Sequence, residues 1–522
     1  MNIKHLLIGL IFSLPLGSGV AVAADFMKGA NAAQSGDYKT AIAEWTPLAE
    51  QGHLISQYFL AAVYFNGKFV QKDEKIAAKW FTKAAEQGFA DAQFRLAFMY
   101  NSGIGVLEND KTAVKWVTKA AKQGHAKAQF TLGSHYANGE GISEDDKSAV
   151  KWFTLSAEQG DADAQYNLAL MYDNGEGVLE NDRTAFKWYT KAAEQGFADA
   201  QFRLAFMYNS GIGVLENDKT AVKWVTKAAE QGHINAQFSL GSHYANGEGI
   251  PEDDKSAVKW FTLSAEQGYA SAQYNLALMY DNGEGVPEND KTAVKWFTKA
   301  AEQGHAKAQN SLGDMYEFGE GVPQNYKTGV KWYTKSAEQG NTNAQFRLGF
   351  MYDQGKGAPQ DYKTAARWYK KAAQQGNVSA QFWLGNMYIQ GKGVKQNHKT
   401  GVKWYTKSAE QGNINAQALL GNFFREGKIV PKNYYTSVKW YTKAAEQGEA
   451  NAQYALGVMY FAGSGIFPDN RRAYMWLNLA RYNGDETAGL VQDEIAAQMN
   501  SADISKAQDM SSRCLESNYT DC

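Results

Sequence analysis

Residues 89–124 read FADAQFRLAFMYNSGIGVLENDKTAVKWVTKAAKQG, and this stretch decides the fold. Its first half places small and apolar side chains at i, i+4, i+7 and i+8, namely at Ala92, Leu96, Met99 and Tyr100. Its second half has a similar spacing, at Ala113, Trp116, Ala120 and Ala121. Side chains with this spacing share one face of a helix. The stretch therefore predicts two amphipathic helices joined by a loop.

This pattern recurs along the chain with a period of 36 residues. Trp occupies every equivalent of Trp116 from Trp80 to Trp476, and a matching series of leucines runs from Leu60 to Leu456. These series define twelve tandem repeats over residues 53–484. A helix pair this short cannot bury its apolar face alone, so neighbouring repeats must stack. We expect an all-α fold, a right-handed α/α superhelical solenoid of about 12–13 helix–loop–helix repeats with a contour of about 120 Å.

Short polar residues and glycines mark the ends of the helices. The residue before each second helix is Asp or Asn in all twelve repeats, as at Asn109. A short side-chain acceptor there satisfies free N–H groups in the first turn. Gly103 follows the first helix and Gly124 follows the second, where a left-handed residue is favoured. We therefore expect helix boundaries at these positions in every repeat.

The two ends of the array depart from the pattern, as capping segments do. Residues 25–52 form a shorter N-terminal capping half-unit, with Trp45 one residue out of step. Residues 485–522 are predicted to form C-terminal capping helices over 485–499 and 501–517, with Ser501 as N-cap, and a cysteine-containing tail. No proline-rich or charged linker divides residues 53–484, so we expect one elongated domain.

Residues 1–24 have the features of a secretory signal peptide. Lys4 precedes a short apolar run over residues 6–16, and the small residues at 21–23 predict cleavage after Ala23 or Ala24. This run is shorter than the roughly 20 apolar residues that a membrane-spanning helix needs. We expect the mature protein to be exported, periplasmic or secreted, without a transmembrane segment.

Charge and cysteine content narrow the function classes. The chain has 53 Lys+Arg against 55 Asp+Glu, which argues against a nucleic-acid binder or a polybasic membrane surface. Its two cysteines are Cys514 and Cys522. Cysteines this close in an oxidising compartment favour a disulfide, which would hold the tail locally, although two free thiols remain the alternative.

A second period of 108 residues overlies the first. Residues 89–125 and 197–233 differ only at Lys122 versus Glu230, and GSHYANGEGI occurs at both 133 and 241. A block of three repeats has therefore been copied almost intact. Copying of this kind lengthens a surface, and an enzyme rarely gains from it.

The repeats, with the pattern A-x-x-x-L-[GA]-x-M-Y…G-x-G-V…[ND]…A-x-x-W-[FY]-x-K-A-A-E-Q-G, resemble the Sel1-like repeat family, a relative of the tetratricopeptide repeat. The match covers residues 25–484. The resemblance implies an α/α superhelix that acts as an adaptor or scaffold, and exported bacterial relatives are associated with host-cell contact and the cell envelope. One cysteine-rich branch of the family is linked to penicillin binding and β-lactamase activity. Its signature is a Cys pair in each repeat, which this chain lacks.

Side chains that can carry chemistry favour structural roles. His125 and His233 lie in turns between repeats, and His135 and His243 lie in first helices, but no H-x-x-x-H or Cys/His cluster is present. The Gly-x-Gly loops follow no strand, which favours plain turns over phosphate sites. The regularly spaced Trp residues favour core packing over glycan stacking, and the repeated Gln of the first helix favours a hydrogen bond between repeats. We expect no catalytic residue, no metal and no cofactor.

Positions where the repeats differ are better candidates for binding. The first-helix positions of Arg95 and Phe98 are expected, by analogy with related solenoids, to face the concave side. Arg and aromatic residues often anchor protein interfaces. The candidate partner-binding residues are Arg95, Phe98, Arg203, Phe206, Arg347, Phe350 and Trp383, against the alternative of ordinary solvated helix surface.

The sequence favours a non-enzymatic exported scaffold that binds a protein partner, an envelope component or a host factor. Two alternatives remain open at this point, a penicillin-recognising or β-lactamase-like enzyme and an envelope glycan-binding protein. The first would need a nucleophile with a partner base, and the second would need exposed aromatic residues outside the regular Trp series, where Trp383 stands alone.

Overall fold

The computed structural model describes residues 20–67 and 70–522. Within these residues the chain forms 28 helices and no strand, which confirms the all-α prediction. The first helices of the twelve repeats are Leu54–Asn66, Ala90–Ser102, Ala126–Asn138, Ala162–Asn174, Ala198–Ser210, Ile234–Asn246, Ala270–Asn282, Ala306–Phe318, Thr342–Gln354, Val378–Gln390, Ile414–Glu426 and Ala450–Ala462.

The second helices run antiparallel to the first, after a loop of seven residues, for example residues 103–109. They are Glu74–Glu86, Asp110–Lys122, Asp146–Glu158, Asp182–Glu194, Asp218–Glu230, Asp254–Glu266, Asp290–Glu302, Tyr326–Glu338, Tyr362–Gln374, His398–Glu410, Tyr434–Ala445 and Asn470–Tyr482. Two compact parts are distinguished along the chain, one ending at Ser264 and one beginning at Ala265. Each part is by itself a solenoid of stacked helix pairs.

The predicted capping residues begin and end the helices. The Oδ1 atom of Asn109 accepts a hydrogen bond from the backbone N–H of Thr112 at 2.9 Å, and an Asp or Asn makes the corresponding contact before each of the other second helices. Gly103 closes the first helix with φ of +63°, and Gly124 follows the second with φ of +86°. These left-handed positions favour glycine because it has no Cβ.

The residue after each regularly spaced Trp is buried in the core. Val117 is fully buried, whereas Trp116 is half-buried and has the Nζ of Lys119 4.1 Å from its ring centroid. The indole is buried in four of the twelve repeats, at Trp80, Trp296, Trp440 and Trp476. In the remaining repeats the indole is half-buried at the edge of the core, where Trp116, Trp188 and Trp224 pack against core clusters, so the prediction of core packing is supported.

Glutamines connect successive repeats through hydrogen bonds. The Nε2 of Gln93 donates to the backbone oxygen of Ala85 in the preceding repeat at 3.0 Å. The Oε1 of Gln93 accepts from the Nε2 of Gln123 at 2.7 Å. Gln93 is 3% exposed, so the buried amide is satisfied at both ends. The prediction of an inter-repeat hydrogen bond is confirmed.

The N-terminal segment folds as a pair of helices, Val20–Ser35 and Tyr38–Glu50. Trp45 is fully buried and its Nε1 donates to the backbone oxygen of Phe26 at 3.3 Å. Residues 1–19 of the predicted signal peptide lie outside the described residues, and residues 20–24 begin the first of these helices. None of the helices described is long and apolar enough to cross a membrane.

The C-terminal segment contains the helices Ala488–Ala496 and Ser501–Glu516. Asn500, and not Ser501 as predicted, is the N-cap, because its Oδ1 accepts from the N–H of Asp503 at 2.8 Å. Cys514 and Cys522 form the predicted disulfide. The hydroxyl of Tyr519 donates to the Oδ1 of Asn483 at 2.9 Å and so fastens the tail to the last repeat.

Candidate interaction surface

The first helices present side chains to solvent at positions where the repeats differ. Phe98 and Phe206 expose 46% and 52% of their surface, although each is a large apolar side chain. The ring of Phe98 touches Phe65 of the preceding repeat edge-to-face, with the centroids 6.5 Å apart. Half-exposed aromatic rings of this kind supply contact area when a partner covers them.

The arginines of the first two Arg–Phe pairs reach back to the preceding repeat. The guanidinium of Arg95 interacts electrostatically with the hydroxyl of Tyr58, and that of Arg203 interacts in the same way with Tyr166. Burial is the main reason that the pKa of each tyrosine is raised, and the guanidinium opposes that rise. Both pairs lie in the part that ends at Ser264, and their local structures are alike, as the copied sequence requires.

The third pair has a different environment. The Nε of Arg347 lies 3.7 Å from the Oδ1 of Asp314, and its Nη1 lies 3.9 Å from the Oε1 of Glu317. Its guanidinium carbon lies 5.3 Å from the ring centroid of Phe318, which is 50% exposed. Arg347 is therefore a counterion of the protein's own carboxylates. Asp314 occupies the equivalent of Phe98 in its repeat, and Glu317 was not singled out from the sequence.

Phe350 lies on the same first helix as Arg347, and Trp383 lies on the following first helix. Both are half-buried, and Trp383 meets Phe382 edge-to-face at 5.6 Å. Trp383 also lines a cleft of about 240 Å³ together with Asp353 and Asn386. Trp383 is therefore a partly covered wall of a polar cleft and is not an isolated exposed ring.

A larger groove of about 490 Å³ lies between the first helices Ile414–Glu426 and Ala450–Ala462. The Nη2 of Arg425 donates to the Oδ1 of Asn422 at 3.1 Å, and the hydroxyl of Tyr441 donates to the same oxygen at 2.7 Å. Sequence analysis missed Arg425. The signal was available, since Arg425 occupies the position where most other repeats carry Asp, Glu or Asn.

The histidines and serines weighed for chemistry have structural roles. The Nδ1 of His125 accepts from the N–H of Ala128 at 3.1 Å and caps a helix, and His233 does the same. His135 is buried and its Nδ1 lies 3.0 Å from the backbone oxygen of Glu140. The hydroxyl of Ser134 donates to the oxygen of Phe130 within its own helix at 3.2 Å. The prediction of structural histidines is supported by these contacts.

The Gly-x-Gly loops are turns that pack on the neighbouring repeat. A Cβ at Gly105 would collide with the backbone carbonyl of Glu74, so glycine is required for this close approach. In residues 20–67 and 70–522, no group of three or more His, Cys, Asp or Glu side chains is placed to hold a metal ion.

Comparison with known families identifies the repeat. The Sel1 repeat model matches twelve consecutive segments that together span residues 54–485. The repeats thus form the same series that the tryptophans define in the sequence. The twelve segments are 54–89, 90–125, 126–161, 162–197, 198–233, 234–269, 270–305, 306–341, 342–377, 378–413, 414–449 and 450–485.

Solved structures show the same architecture. The chain is similar to c5321, a protective antigen present in uropathogenic Escherichia coli strains and displaying this repeat fold. The two share 35% identity over 84% of this chain and 94% of that chain, with a TM-score of 0.75. A Sel1 repeat protein from Oxalobacter formigenes is also 35% identical, over 63% of this chain and 93% of its own, with a TM-score of 0.49. No curated protein matches the chain.

Proposed function

The chain belongs to the Sel1 repeat family, and from this premise we propose that it is an exported, non-enzymatic scaffold that binds a protein partner along its first helices. Scaffolds built from Sel1 repeats typically mediate protein–protein interactions. The partner is an envelope component or a host factor, and a role in virulence follows if it is the latter.

One observation carries this proposal. Phe98 and Phe206 remain about half exposed on first helices whose Leu and Met side chains are buried. The neighbouring Arg95 and Arg203 are half-buried, which reduces the conformational freedom that binding would remove. A partly fixed arginine beside an exposed aromatic ring has the composition of an interface hot spot.

Two further observations support the non-enzymatic and exported character. His125, His135 and Ser134 are engaged in helix caps and backbone hydrogen bonds, so none is poised as a base or nucleophile. The disulfide between Cys514 and Cys522 suits an oxidising compartment. The similar protein c5321 is a protective antigen present in uropathogenic Escherichia coli strains, which supports the view that such a chain meets host molecules.

Partner binding is tested by a crosslinking pull-down from intact cells, analysed by mass spectrometry. One variant carries Arg95→Ala, Phe98→Ala, Arg203→Ala and Phe206→Ala, and a second carries Arg347→Ala, Phe350→Ala and Trp383→Ala. Loss of hot-spot residues should reduce recovery of the main partner about tenfold or more. The matched control replaces the exposed second-helix residues Lys327 and Lys331 with Ala. Equal recovery by all of these proteins would contradict the proposal.

Export and the lack of enzymatic activity are tested separately. The N-terminus of the protein recovered outside the cytoplasm should begin at Ala24 or Asp25, whereas an intact Met1 would contradict export. Incubation with a fluorescent penicillin should leave the purified protein unlabelled. A covalent adduct would favour the penicillin-recognising alternative.

A further inference from the structure

Two carboxylates meet a single tyrosine hydroxyl in the repeat of residues 305–340. The hydroxyl oxygen of Tyr333 lies 2.6 Å from the Oδ1 of Asp314 and 2.7 Å from the Oε2 of Glu317. Tyr333 is fully buried and Glu317 is 4% exposed. Both separations are in the range of strong O–H···O hydrogen bonds.

If both carboxyl groups were ionised, only one proton would be present for the two short contacts. A tyrosine hydroxyl has one proton and an ionised carboxylate can only accept. Tyr333 can therefore satisfy one of the two acids, and the other contact needs a proton of its own. We propose that Asp314, Glu317 and Tyr333 form a buried proton-binding site, which retains one carboxyl proton at neutral pH.

The protons balance in the proposed state. Tyr333 donates its hydroxyl proton to one carboxylate, and the second carboxyl group donates its proton to the tyrosine oxygen. Both short contacts are then hydrogen bonds, and the pair bears one negative charge. The guanidinium of Arg347 neutralises that single charge at 3.7 Å and 3.9 Å. A fully ionised pair would place a second negative charge, on Asp314 with its side chain 30% exposed, beside the buried Glu317 without a counterion of its own, which is costly.

The groups around the site favour proton retention on balance. Burial raises the pKa of Asp314, and the negative charges of Glu317 and Glu320 act in the same direction, while Tyr333 and Arg347 oppose it. The Nδ2 of Asn310 also donates to the Oδ2 of Asp314 at 2.9 Å. The lysines of the two packed second helices are exposed to solvent, at Lys291, Lys295, Lys299, Lys327, Lys331 and Lys335. Asp281, on the preceding first helix, is a further negative charge close to Glu320.

The same chain provides a natural comparison four repeats earlier. There Tyr189 occupies the position of Tyr333, and its hydroxyl donates to Asp173 at 3.1 Å. Leu170 stands in place of Asp314, and Arg203 stands in place of Arg347. With one carboxylate for one hydroxyl proton, this site is satisfied without an extra proton. The second acid, Asp314, is what creates the proton site.

Retention of a proton has a definite sign in the pH dependence of stability. Above about pH 4 an unfolded Asp or Glu is ionised, so the folded cluster binds more protons than the unfolded chain. Its stabilisation is complete at low pH and is lost as the pH rises through the point at which the site releases its proton. The contacts between helices 306–318, 326–338 and 342–354 should loosen in that range.

The test is hydrogen exchange with mass spectrometry on the full chain and on the variant Glu317→Gln. A glutamine amide donates to Tyr333 at every pH and so replaces the carboxyl proton permanently. At pH 5 the two proteins should protect residues 306–318 and 326–338 about equally. At pH 9 the wild type should exchange faster there, by up to about tenfold for each pH unit between about pH 4 and the pH at which the site releases its proton, and the ratio should then stay constant.

The matched control is Asp173→Asn. Its protection from hydrogen exchange at residues 162–174 and 182–194, relative to the wild type, should not increase with pH. Infrared spectroscopy gives a readout that does not depend on stability. The wild type at pH 7 should show a protonated-carboxyl band that Glu317→Gln lacks, and Asp314→Asn should lack it too. A wild type without that band, or a ratio of exchange rates between wild type and Glu317→Gln that does not change with pH, would overturn the proposal.

Discussion

At the scale of the residue, the hydroxyl of Tyr369 is buried and makes no hydrogen bond. Tyr369 occupies the same position as Tyr333 and Tyr441, whose hydroxyls have partners. Phe350 stands where Tyr441 finds the oxygen of Asn422, and the carboxylate of Asp353, the equivalent of the acceptor Asp173, makes no hydrogen bond with Tyr369. An unpaired buried hydroxyl costs free energy because it has lost its hydrogen bonds to water.

Replacing Tyr369 with Phe should therefore leave the free energy of unfolding unchanged or raise it, by about 1–2 kcal/mol. Phe297 shows that the same position accepts phenylalanine fully buried. The control is Tyr441→Phe, which removes a 2.7 Å hydrogen bond to Asn422 and should lower the free energy of unfolding by about 1 kcal/mol. Urea denaturation compares the two, and equal destabilisation by both would contradict the argument.

Gln93 shows how one side chain serves two repeats. Replacing it with Leu removes the side-chain donor to the carbonyl of Ala85, which keeps the backbone N–H of Gly88, and leaves Gln123 without its acceptor. The free energy of unfolding should fall by about 1–3 kcal/mol. Gln123 is exposed, so water can donate to the Oε1 of Gln93 in place of the Gln123 amide. Gln123→Leu should therefore lower the free energy of unfolding by less than Gln93→Leu. Thermal and urea denaturation measure both, and a larger loss for Gln123→Leu would show that the buried bond is not the important one.

At the scale of the element, the first helices differ in what caps them. His53 and His305 accept from the N–H groups of Ser56 and Ala308 through Nδ1. Asn341, Asn377 and Asn413 do the same with an amide oxygen. An imidazole accepts only when the nitrogen is unprotonated. The histidine caps therefore respond to pH, and the asparagine caps do not.

Burial lowers the pKa of His53 and His305 below the ordinary value. The unfolded chain therefore binds protons first as the pH falls, and the folded state binds fewer. Their contribution to stability is complete above about pH 6.5 and is lost as the pH falls below that value toward the lowered pKa. The double variant His53→Asn, His305→Asn should lose less stability than the wild type between pH 7 and pH 5, by about 1 kcal/mol per cap.

The measurement is the melting temperature of both proteins across that range. The matched control is Asn341→Asp, which keeps a short acceptor and should follow the wild-type profile above pH 5. If the wild type and the histidine variant lose stability in parallel, the caps are not the titrating groups.

The elements themselves follow closely from the sequence. The Asn or Asp before each second helix and the glycine after each first helix set the boundaries, because they act on the backbone within a few residues. The order of burial was harder to predict. Trp116 and Val117 are consecutive residues that point about 100° apart around the helix, so either could face the core. Because of the packing between the two helices, Val117 is buried and Lys119 covers the indole of Trp116.

The candidate site was less predictable than the fold. The recurrence of the sequence identified Arg95, Arg203 and Arg347 as equivalent residues. It did not predict that Arg347 would form ion pairs with Asp314 and Glu317. That contact joins two repeats and depends on side chains that differ from the consensus. Periodicity describes what the repeats share, whereas binding surfaces arise from what they do not share.

At the scale of the whole molecule, a repeat protein is stabilised by each repeat and by the interfaces between neighbours. Damage to one repeat therefore spreads to its neighbours and fades along the chain. The C-terminal segment is a place to examine this property, because its disulfide closes a short loop at the very end. Cys514 is fully buried against the last helices, and the tail reaches back through Tyr519 to Asn483.

Removing the disulfide, by reduction or by Cys522→Ser, should free the tail. The two cysteines are separated by 8 residues in the sequence, and a disulfide that closes a loop of this length stabilises the folded state by about 2–3 kcal/mol. Hydrogen exchange should increase in the helix Ser501–Glu516 and less in Asn470–Tyr482, and should not change in the helix Leu54–Asn66. Tyr519→Phe is the control, since it keeps the disulfide and loses one hydrogen bond of about 1 kcal/mol. Because only neighbouring repeats share interfaces, faster exchange in Leu54–Asn66 would mean that the array unfolds as one cooperative unit and that stability here is not the sum of local terms.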